Sequence, residues 1–277
     1  IEGRSHSLAK SVKLSVQLHP YGEGQQLLLT RDITAVYQAE SMRRDFVANV
    51  SHEIRTPLTV LSGFVETLQS LPLEPDEQQH FLALMAIQAA RMQTLVSDLL
   101  ILSQLEGSPP PGKGELVALA PLTQQVLDDA RALSALQDIN SSGPVHTLIL
   151  EPVPGWTLSG SRDELLSAMS NLVNNAVRYT PAGGTIHIAW LRPDDEHVVF
   201  SVKDTGPGIA AEHLPRLSER FYRVDRSRSR ETGGTGLGLA ITKHVVQRHG
   251  GQLRIESEAG RGSNFMLSFP ASRLKAV

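Results

Sequence analysis

FVANVSHEIRTPL, residues 46–58, has the apolar spacing of a helix that packs against other helices. Val47, Val50 and Ile54 stand three and four residues apart, and this alternation marks the seam of a coiled coil. The pattern extends on both sides of the quoted stretch. It therefore predicts one long helix over about residues 36–71.

A second helix with the same spacing follows a short break. Pro72 and Pro75 end the first helix, and apolar residues repeat at intervals of four and three from Phe81 to Leu102. Two such helices with a short connection form an antiparallel hairpin whose seam stays half covered. A homodimer that builds a four-helix bundle is the simplest way to bury the rest, so we predict one over residues 39–106.

His52 lies on the face opposite this seam. With Val47 and Val50 at heptad positions a and d, His52 takes position f, which excludes a core histidine. Thr56 follows one turn later on that face. Glu53 can accept a hydrogen bond from one ring nitrogen and orient the other for attack. Position alone fits an ordinary surface histidine, whereas these neighbours favour a nucleophile.

Beyond residue 115 the chain alternates helices and strands, which indicates an α/β domain. GSPPPGKG, residues 107–114, precedes it and has the composition of a flexible linker. We predict strands at 146–150, 185–191, 198–204, 252–257 and 264–269, and helices at 120–136, 162–179 and 238–249.

One predicted helix of this domain carries four polar residues on one face. Asn171, Asn175 and Arg178 stand at i, i+4 and i+7, and Tyr179 follows on the same side. Amide oxygens suit Mg²⁺, and a cation one turn further along can meet phosphate. A polar surface face explains any one of these residues but explains all four poorly.

Two glycine-rich segments come after this helix. In VKDTGPGI, residues 202–209, Asp204 ends a strand and can accept a hydrogen bond from an amine. TGGTGLGL, residues 232–239, runs into a helix whose N-terminal amides can bind an anion. Taken alone, the first could be an ordinary strand-to-loop turn and the second a flexible loop. The sequence has no GxxxxGK[ST] P-loop.

In this order and spacing the segments resemble the sensor histidine kinases of two-component systems. Residues 46–58 are similar to the H-box of that family, and the later segments to the N, G1, F and G2 boxes of its GHKL (Bergerat) ATPase domain. The likeness covers about residues 39–270. It implies a catalytic ATP-binding α/β sandwich over residues 115–272, after the hairpin that dimerises and carries the phosphate.

The resemblance implies ATP and Mg²⁺ as cofactors and autophosphorylation of His52. The phosphoryl group would then pass to an aspartate of a response-regulator receiver domain. Glu53 would polarise the histidine ring, and Thr56 would orient a water when the enzyme dephosphorylates its partner. Asn175 would be the main Mg²⁺ ligand, with Asn171 assisting.

The same resemblance implies the nucleotide contacts. Asp204 would recognise adenine with Tyr179 packed near the base, and Arg178 and Arg223 would reach the phosphates. The further nucleotide-binding positions that it implies are Gly206, Gly208, Gly234, Gly236, Leu237 and Gly238.

A lid over residues 224–235 is also implied, anchored by the F-box residues 221–223 and ordered on ATP binding. Ser218 departs from the family, because many members carry the first Phe of the F-box there. The closest likeness is to the phosphate-regulon branch. Residues 7–38 resemble the last strands of a PAS sensor domain and a connecting helix.

Bulk properties exclude several other classes. A net charge of −3 argues against a nucleic-acid or membrane-surface binder, and the lack of cysteine excludes disulfides and thiolate metal sites. IEGR, residues 1–4, is a protease site common in expression vectors, so we expect residues 1–6 to be a cloning remnant. We expect the chain to be the cytoplasmic portion of an inner-membrane-anchored bacterial sensor, without membrane contacts of its own.

Two alternatives remain open. One is a GHKL ATPase that opens and closes a dimer without phosphotransfer. The other is a degenerate kinase that acts only as a docking scaffold. The H-box argues against the first, because such ATPases lack a histidine-bearing hairpin, and the intact Asn171, Asn175 and Asp204 argue against the second.

Overall fold

The computed structural model divides the chain into two compact units, Ile1–Gln88 and Ala89–Val277. The boundary between them lies inside the second long helix. The structure describes residues 2–4, 11–22, 24–112, 115–140, 146–224 and 234–276.

The first unit begins with a three-stranded antiparallel sheet of β1 (Glu2–Arg4), β2 (Ser11–Tyr21) and β3 (Gln25–Asp32), in that order. Gly22 and Gly24 have φ of 63° and 74°, which the tight turn between β2 and β3 requires. Strands are thus present within residues 7–38, as expected, and part of the expected cloning remnant pairs with β2 as an edge strand.

Two long helices follow, α1 (Thr34–Ser70) and α2 (Pro75–Gly107). In the connection, the Glu77 carboxylate accepts a hydrogen bond from the Glu74 amide, which caps the start of α2. The rings of Phe64 and Phe81 lie 5.5 Å apart across the hairpin. The predicted antiparallel hairpin is confirmed. Pro57 is accommodated within α1, which continues past it.

The second unit contains a five-stranded sheet in the order β5-β7-β8-β10-β9. β5 and β7 pair in parallel and the other neighbours are antiparallel. A three-stranded sheet has the order β11-β6-β4. The strands are β4 (Leu116–Ala118), β5 (Thr147–Leu150), β6 (Trp156–Ser159), β7 (Thr185–Leu191), β8 (His197–Asp204), β9 (Gln252–Glu258), β10 (Gly262–Pro270) and β11 (Leu274–Ala276).

In the described part of this domain, three α-helices accompany the sheets: α3 (Leu119–Asn140), α4 (Arg162–Tyr179) and α5 (Gly238–Arg248). The Ser161 hydroxyl accepts a hydrogen bond from the Glu164 amide and caps α4. The Trp190 indole donates to the Thr123 hydroxyl, which satisfies both polar groups inside the core. The predicted α/β domain is confirmed, and its smaller sheet is an addition to the prediction.

The segment after α2 is fastened to this domain where it is described. The Arg248 guanidinium donates to the carbonyls of Leu105, Ser108 and Pro109 and forms a bidentate pair with Glu164. Its side chain is only 11% exposed. Residues 108 and 109 thus have fixed partners in spite of their linker-like composition, and residues 113–114 lie outside the described ranges.

No helix in the described part of the chain is both long enough and apolar enough to cross a lipid bilayer.

Candidate functional site

A cavity of about 520 Å³ lies in the second unit, bordered by α4, the end of β8 and the start of α5. It gathers most of the predicted nucleotide-binding positions. Gly206 and Leu237 do not line it, although their chain neighbours do. The predicted residues in its lining are Asn171, Asn175, Arg178, Tyr179, Asp204, Gly208, Arg223, Gly234, Gly236 and Gly238.

Asp204 is a buried carboxylate held by backbone amides at one end of the cavity. Its Oδ1 accepts hydrogen bonds from the amides of Gly206 at 2.8 Å and Ser263 at 3.3 Å. Burial raises the pKa of Asp204, and the two amide bonds act in the opposite direction. A Cβ atom at position 206 would lie 2.8 Å from this oxygen, so the absence of a side chain at Gly206 leaves room for the carboxylate.

Apolar groups line the same end. Ile209 and Phe265 contribute to the lining, and the Ile209 amide donates to the Ser257 hydroxyl at 2.8 Å. Gly208 has φ of 67°, and a Cβ there would meet the Glu258 carbonyl oxygen at 2.0 Å. The loop after β8 therefore lies tight against the turn between β9 and β10, and this contact shapes the wall of the cavity.

The other end of the cavity is polar and is built by α4 and the glycine-rich segment. The Asn171 amide nitrogen donates to the Gly238 carbonyl at 3.3 Å, which fixes α4 against the start of α5. The Phe221 amide donates to the Gly236 carbonyl at 2.9 Å, so the F-box and the second glycine segment meet. Position 236, with φ of 74°, has no room for a side chain beside the Phe221 backbone.

Phe221 itself has φ of 62°, a conformation that non-glycine residues rarely adopt. Next to it, the Tyr222 hydroxyl pairs with the Nδ1 of His213 at 2.7 Å, and the Arg216 guanidinium stacks over the Tyr222 ring. The predicted lid anchor is thus tied down by several contacts. The predicted lid continues into residues 225–233, which lie outside the described residues.

Sequence reasoning missed several residues of the cavity. Asn174 lines it next to Asn175, and Thr94 and Asp98 of α2 line it as well. The Thr235 hydroxyl donates to Asp98 at 2.6 Å. An available signal was the i, i+4 spacing of Thr94 and Asp98, which puts two polar groups on one face of an otherwise apolar stretch.

The predicted catalytic residues belong to one turn of α1 in the first unit. His52 is exposed, in agreement with its heptad position, and Glu53 is partly exposed. The Thr56 hydroxyl donates to the His52 carbonyl at 3.1 Å, and Thr59 makes the same bond to Arg55 at 3.0 Å. Thr59 is therefore a structural counterpart of Thr56 that lies about two turns from the histidine instead of one.

The side chains that line the cavity determine whether it could bind a divalent metal ion. Among the described residues, no group of three or more His, Cys, Asp and Glu side chains could hold a metal ion. The cavity instead offers the amides of Asn171, Asn174 and Asn175. Amide oxygens fit Mg²⁺ when phosphate oxygens and waters complete its shell, which is how this ion is usually bound beside a nucleotide.

Two family models match the chain. Residues 42–108 match the His Kinase A (phospho-acceptor) domain. Residues 160–273 match the histidine kinase-, DNA gyrase B- and HSP90-like ATPase domain. Together they cover the hairpin and most of the α/β domain.

Individual relatives agree with these matches. The phosphate regulon sensor protein PhoR of Pseudomonas aeruginosa is 49% identical over 266 residues, which are 95% of this chain and 58% of that protein. The chain thus spans little more than half the length of this relative. The crystal structure of full-length ShkA in complex with AMPPNP has a TM-score of 0.55 and 28% identity, over 82% of this chain and 45% of that one.

A third likeness concerns the fold alone. The crystal structure of the histidine kinase ThkA in complex with the response regulator protein TrrA has a TM-score of 0.60. It is 19% identical and covers 97% of this chain and 78% of that chain.

Proposed function

The chain belongs to the sensor histidine kinases, and we propose that it transfers the γ-phosphoryl group of ATP to His52 and then to an aspartate of a separate response regulator. The observation that carries this proposal is the pairing of two sites in one chain. One is an exposed histidine next to Glu53 on the hairpin. The other is a cavity in the ATP-binding domain that unites Asn175, Arg178 and Asp204.

The proposed orientation of ATP follows from the polarity of the cavity. Asp204 would accept a hydrogen bond from the exocyclic amine of adenine, while Ile209 and Phe265 hold the ring. Arg178 and the glycine amides before α5 would meet the phosphates at the polar end. This orientation is supported by the burial of Asp204 and by the placement of Arg178 on the same helix face as Asn171 and Asn175.

We propose Asn175 and Asn171 as the Mg²⁺ ligands of the protein. The ion would offset the negative charge on the phosphates. The Asn171 side chain is already oriented by its bond to the Gly238 carbonyl, which limits the rearrangement that binding would require.

In the transfer itself, the Nε2 lone pair of His52 forms a bond to the γ-phosphorus. The bond from that phosphorus to the bridging oxygen breaks, and its electrons leave with ADP. Glu53 would hold the proton on Nδ1 and so keep Nε2 free for attack. In the second step, the N–P bond breaks as a carboxylate oxygen of the regulator bonds to phosphorus.

The proposed partners are a second copy of the chain and a receiver domain. The exposed apolar residues of the hairpin, such as Val47 and Leu71, support a homodimer. The fold shared with ThkA, which was crystallised in complex with a response regulator protein, supports a regulator as partner. This regulator would dock on the hairpin face near His52, because that residue would hand over the phosphoryl group. The likeness to PhoR supports a role in phosphate signalling.

We also propose that the full protein is a membrane-anchored sensor with a PAS-like domain. Residues 7–38 would be the end of that domain, and this chain would be the cytoplasmic portion of the sensor.

We further propose that the chain dephosphorylates its regulator through Thr56. Thr56→Ala would then lose phosphatase activity and keep autophosphorylation. Thr59→Ala is the matched control, because its hydroxyl makes the same bond to the helix backbone.

The test of the kinase is labelling by γ-labelled ATP with Mg²⁺. The wild type should acquire acid-labile, alkali-stable label, whereas His52→Gln should acquire none and still bind ATP. His80→Gln serves as the matched control, because His80 is also an exposed helix histidine.

Other outcomes point to the alternatives. ATP hydrolysis without protein labelling would move the chain to the ATPases that lack phosphotransfer. ATP binding with neither activity would favour the docking scaffold.

A further inference from the structure

Residues 89–107 of α2 belong to the same compact unit as the ATP-binding domain. Polar contacts join them at separate places. The Thr235 hydroxyl donates to Asp98, the Arg220 guanidinium pairs with Glu106, and Arg248 binds the Leu105 carbonyl. Leu95, Leu102 and Leu105 of the same stretch are buried. The end of α2 is therefore docked by apolar and polar contacts.

One of these contacts is made inside the cavity. Asp98 lines it, and its carboxylate accepts the Thr235 hydroxyl at 2.6 Å. The Thr235 oxygen in turn accepts the Leu237 amide at 3.3 Å. Thr235 is only 7% exposed, so its hydroxyl has a fixed place between the glycine segment and Asp98.

Asp98 lies near a positive charge and a hydroxyl donor that also border the cavity. Burial raises the pKa of Asp98, while the Thr235 bond and the positive charge of Arg178 act in the opposite direction. Arg178 and the segment around Thr235 are the groups to which the proposed function assigns the phosphates. A carboxylate and a polyphosphate in one cavity would repel each other, and both would be stabilised by the same cation and donors.

We propose that Asp98 is a phosphate-sensing residue that α2 contributes to the nucleotide site. The nucleotide phosphates and the Asp98 carboxylate compete for Arg178 and Thr235, so nucleotide binding loosens residues 89–107 from the ATP-binding domain. This inference rests on the proposed function of the cavity. It adds a contribution from the helical hairpin to a site otherwise built from the α/β domain.

The competition predicts an effect that scales with ligand charge. We would measure the affinity of the dimeric chain for ATP, ADP and adenosine, comparing the wild type with Asp98→Asn. The variant keeps the shape and an acceptor for Thr235 but removes the charge. ATP should bind at least about fivefold more tightly, the lower end of common couplings between sites. ADP should gain less and adenosine should gain nothing.

Asp129→Asn is the matched control, because Asp129 is exposed on α3 and its loss should leave all three affinities unchanged. Equal changes for all three ligands with Asp98→Asn, or no change, would overturn the inference and leave the kinase proposal standing. A wild type that binds none of the ligands would overturn both.

A second measurement follows α2 directly. The chain has no cysteine, so Gln104→Cys and Gln252→Cys introduce two spin labels at exposed positions without background labelling. The distance between the labels should change when ATP is added and stay constant with adenosine. In Asp98→Asn, which keeps an acceptor for Thr235 but carries no charge to repel the phosphates, ATP should alter the distance less than in the wild type. A distance that ATP does not alter contradicts the release of α2.

Discussion

α1 and α4 are both amphipathic helices, yet they differ in how many of their residues are buried within a single chain. α4 buries seven of its 18 residues, whereas α1 buries only Pro57 among 37. Val47 and Leu71, which lie on the predicted seam of α1, are 58% and 56% exposed. The ATP-binding domain thus completes its core within one chain, whereas the hairpin seam stays exposed, and the proposed homodimer would cover it.

The largest effect should come from emptying the core of the α/β domain. Phe200 is fully buried and its ring lies 5.1 Å from that of Trp190, so Phe200→Ala should cost about 3–5 kcal/mol of unfolding free energy. The cost should be the same at every protein concentration. Chemical denaturation measures it, with Phe81→Ala on the hairpin as the partly exposed counterpart. An equal loss of unfolding free energy at Phe200 and Phe81 would contradict the difference in burial between the α/β domain and the hairpin.

Breaking the hairpin seam should act on association instead. Val47→Asp puts a charge on the seam of each copy, so the dimer should weaken by roughly 3 kcal/mol or more, the size of an uncompensated buried charge. Analytical ultracentrifugation follows the mass, and the Tm of the α/β domain should stay unchanged. Ala48→Asp, next along the helix but outside the seam, should leave the dimer intact. Dissociation by both variants would argue against the assigned seam.

Asp204→Asn separates binding from folding in the α/β domain. The amide keeps an acceptor for Gly206 and Ser263 but loses the charge offered to the adenine amine, so ATP affinity should fall by about 1.5–3 kcal/mol. Calorimetric titration measures this loss, and Asp129→Asn should show none. Unchanged ATP affinity would remove Asp204 from the adenine site.

The smallest effect concerns Asp98 and depends on pH. Burial raises its pKa above the ordinary 3.8, so the ionised carboxylate is less favourable in the folded chain than in the unfolded one. That cost is absent below pH 3.8, where both states are protonated, builds up as pH rises from 3.8 to the folded-state pKa, and is complete above it. Asp98→Asn should therefore raise Tm at pH 7 by about 2 °C or less, and the gain should vanish in acid. A Tm gain that grows in acid would contradict a raised pKa of Asp98 in the folded chain.

Sequence patterns predicted the parts of the molecule that depend on local chemistry. The seam spacing predicted both long helices. The nucleotide site around Asp204 and Gly236 was implied by the family resemblance, because each glycine segment alone also fitted a turn or a flexible loop. What escaped prediction depends on partners distant in sequence. The spacing of Thr94 and Asp98 marks a polar pair, but the partner of Asp98 in the cavity is Thr235, which lies 137 residues away.

The smaller sheet and the linker show the same limit. β4 and β11 have three residues each, too few for a periodic pattern to stand out. The proline-rich stretch after α2 has the composition of a flexible connection, but its backbone carbonyls found a distant partner in Arg248. Composition describes how a segment behaves in solvent and carries no information about such partners.

Arg248 ends a helix whose other end begins at Gly238, against Asn171. The eleven residues of α5 form a helix about 16 Å long. At its C-terminal end Arg248 binds the carbonyls after α2, and its N-terminal end lies at the polar side of the cavity. A shift of those carbonyls would therefore also displace the end of α5 that lies beside Asn171.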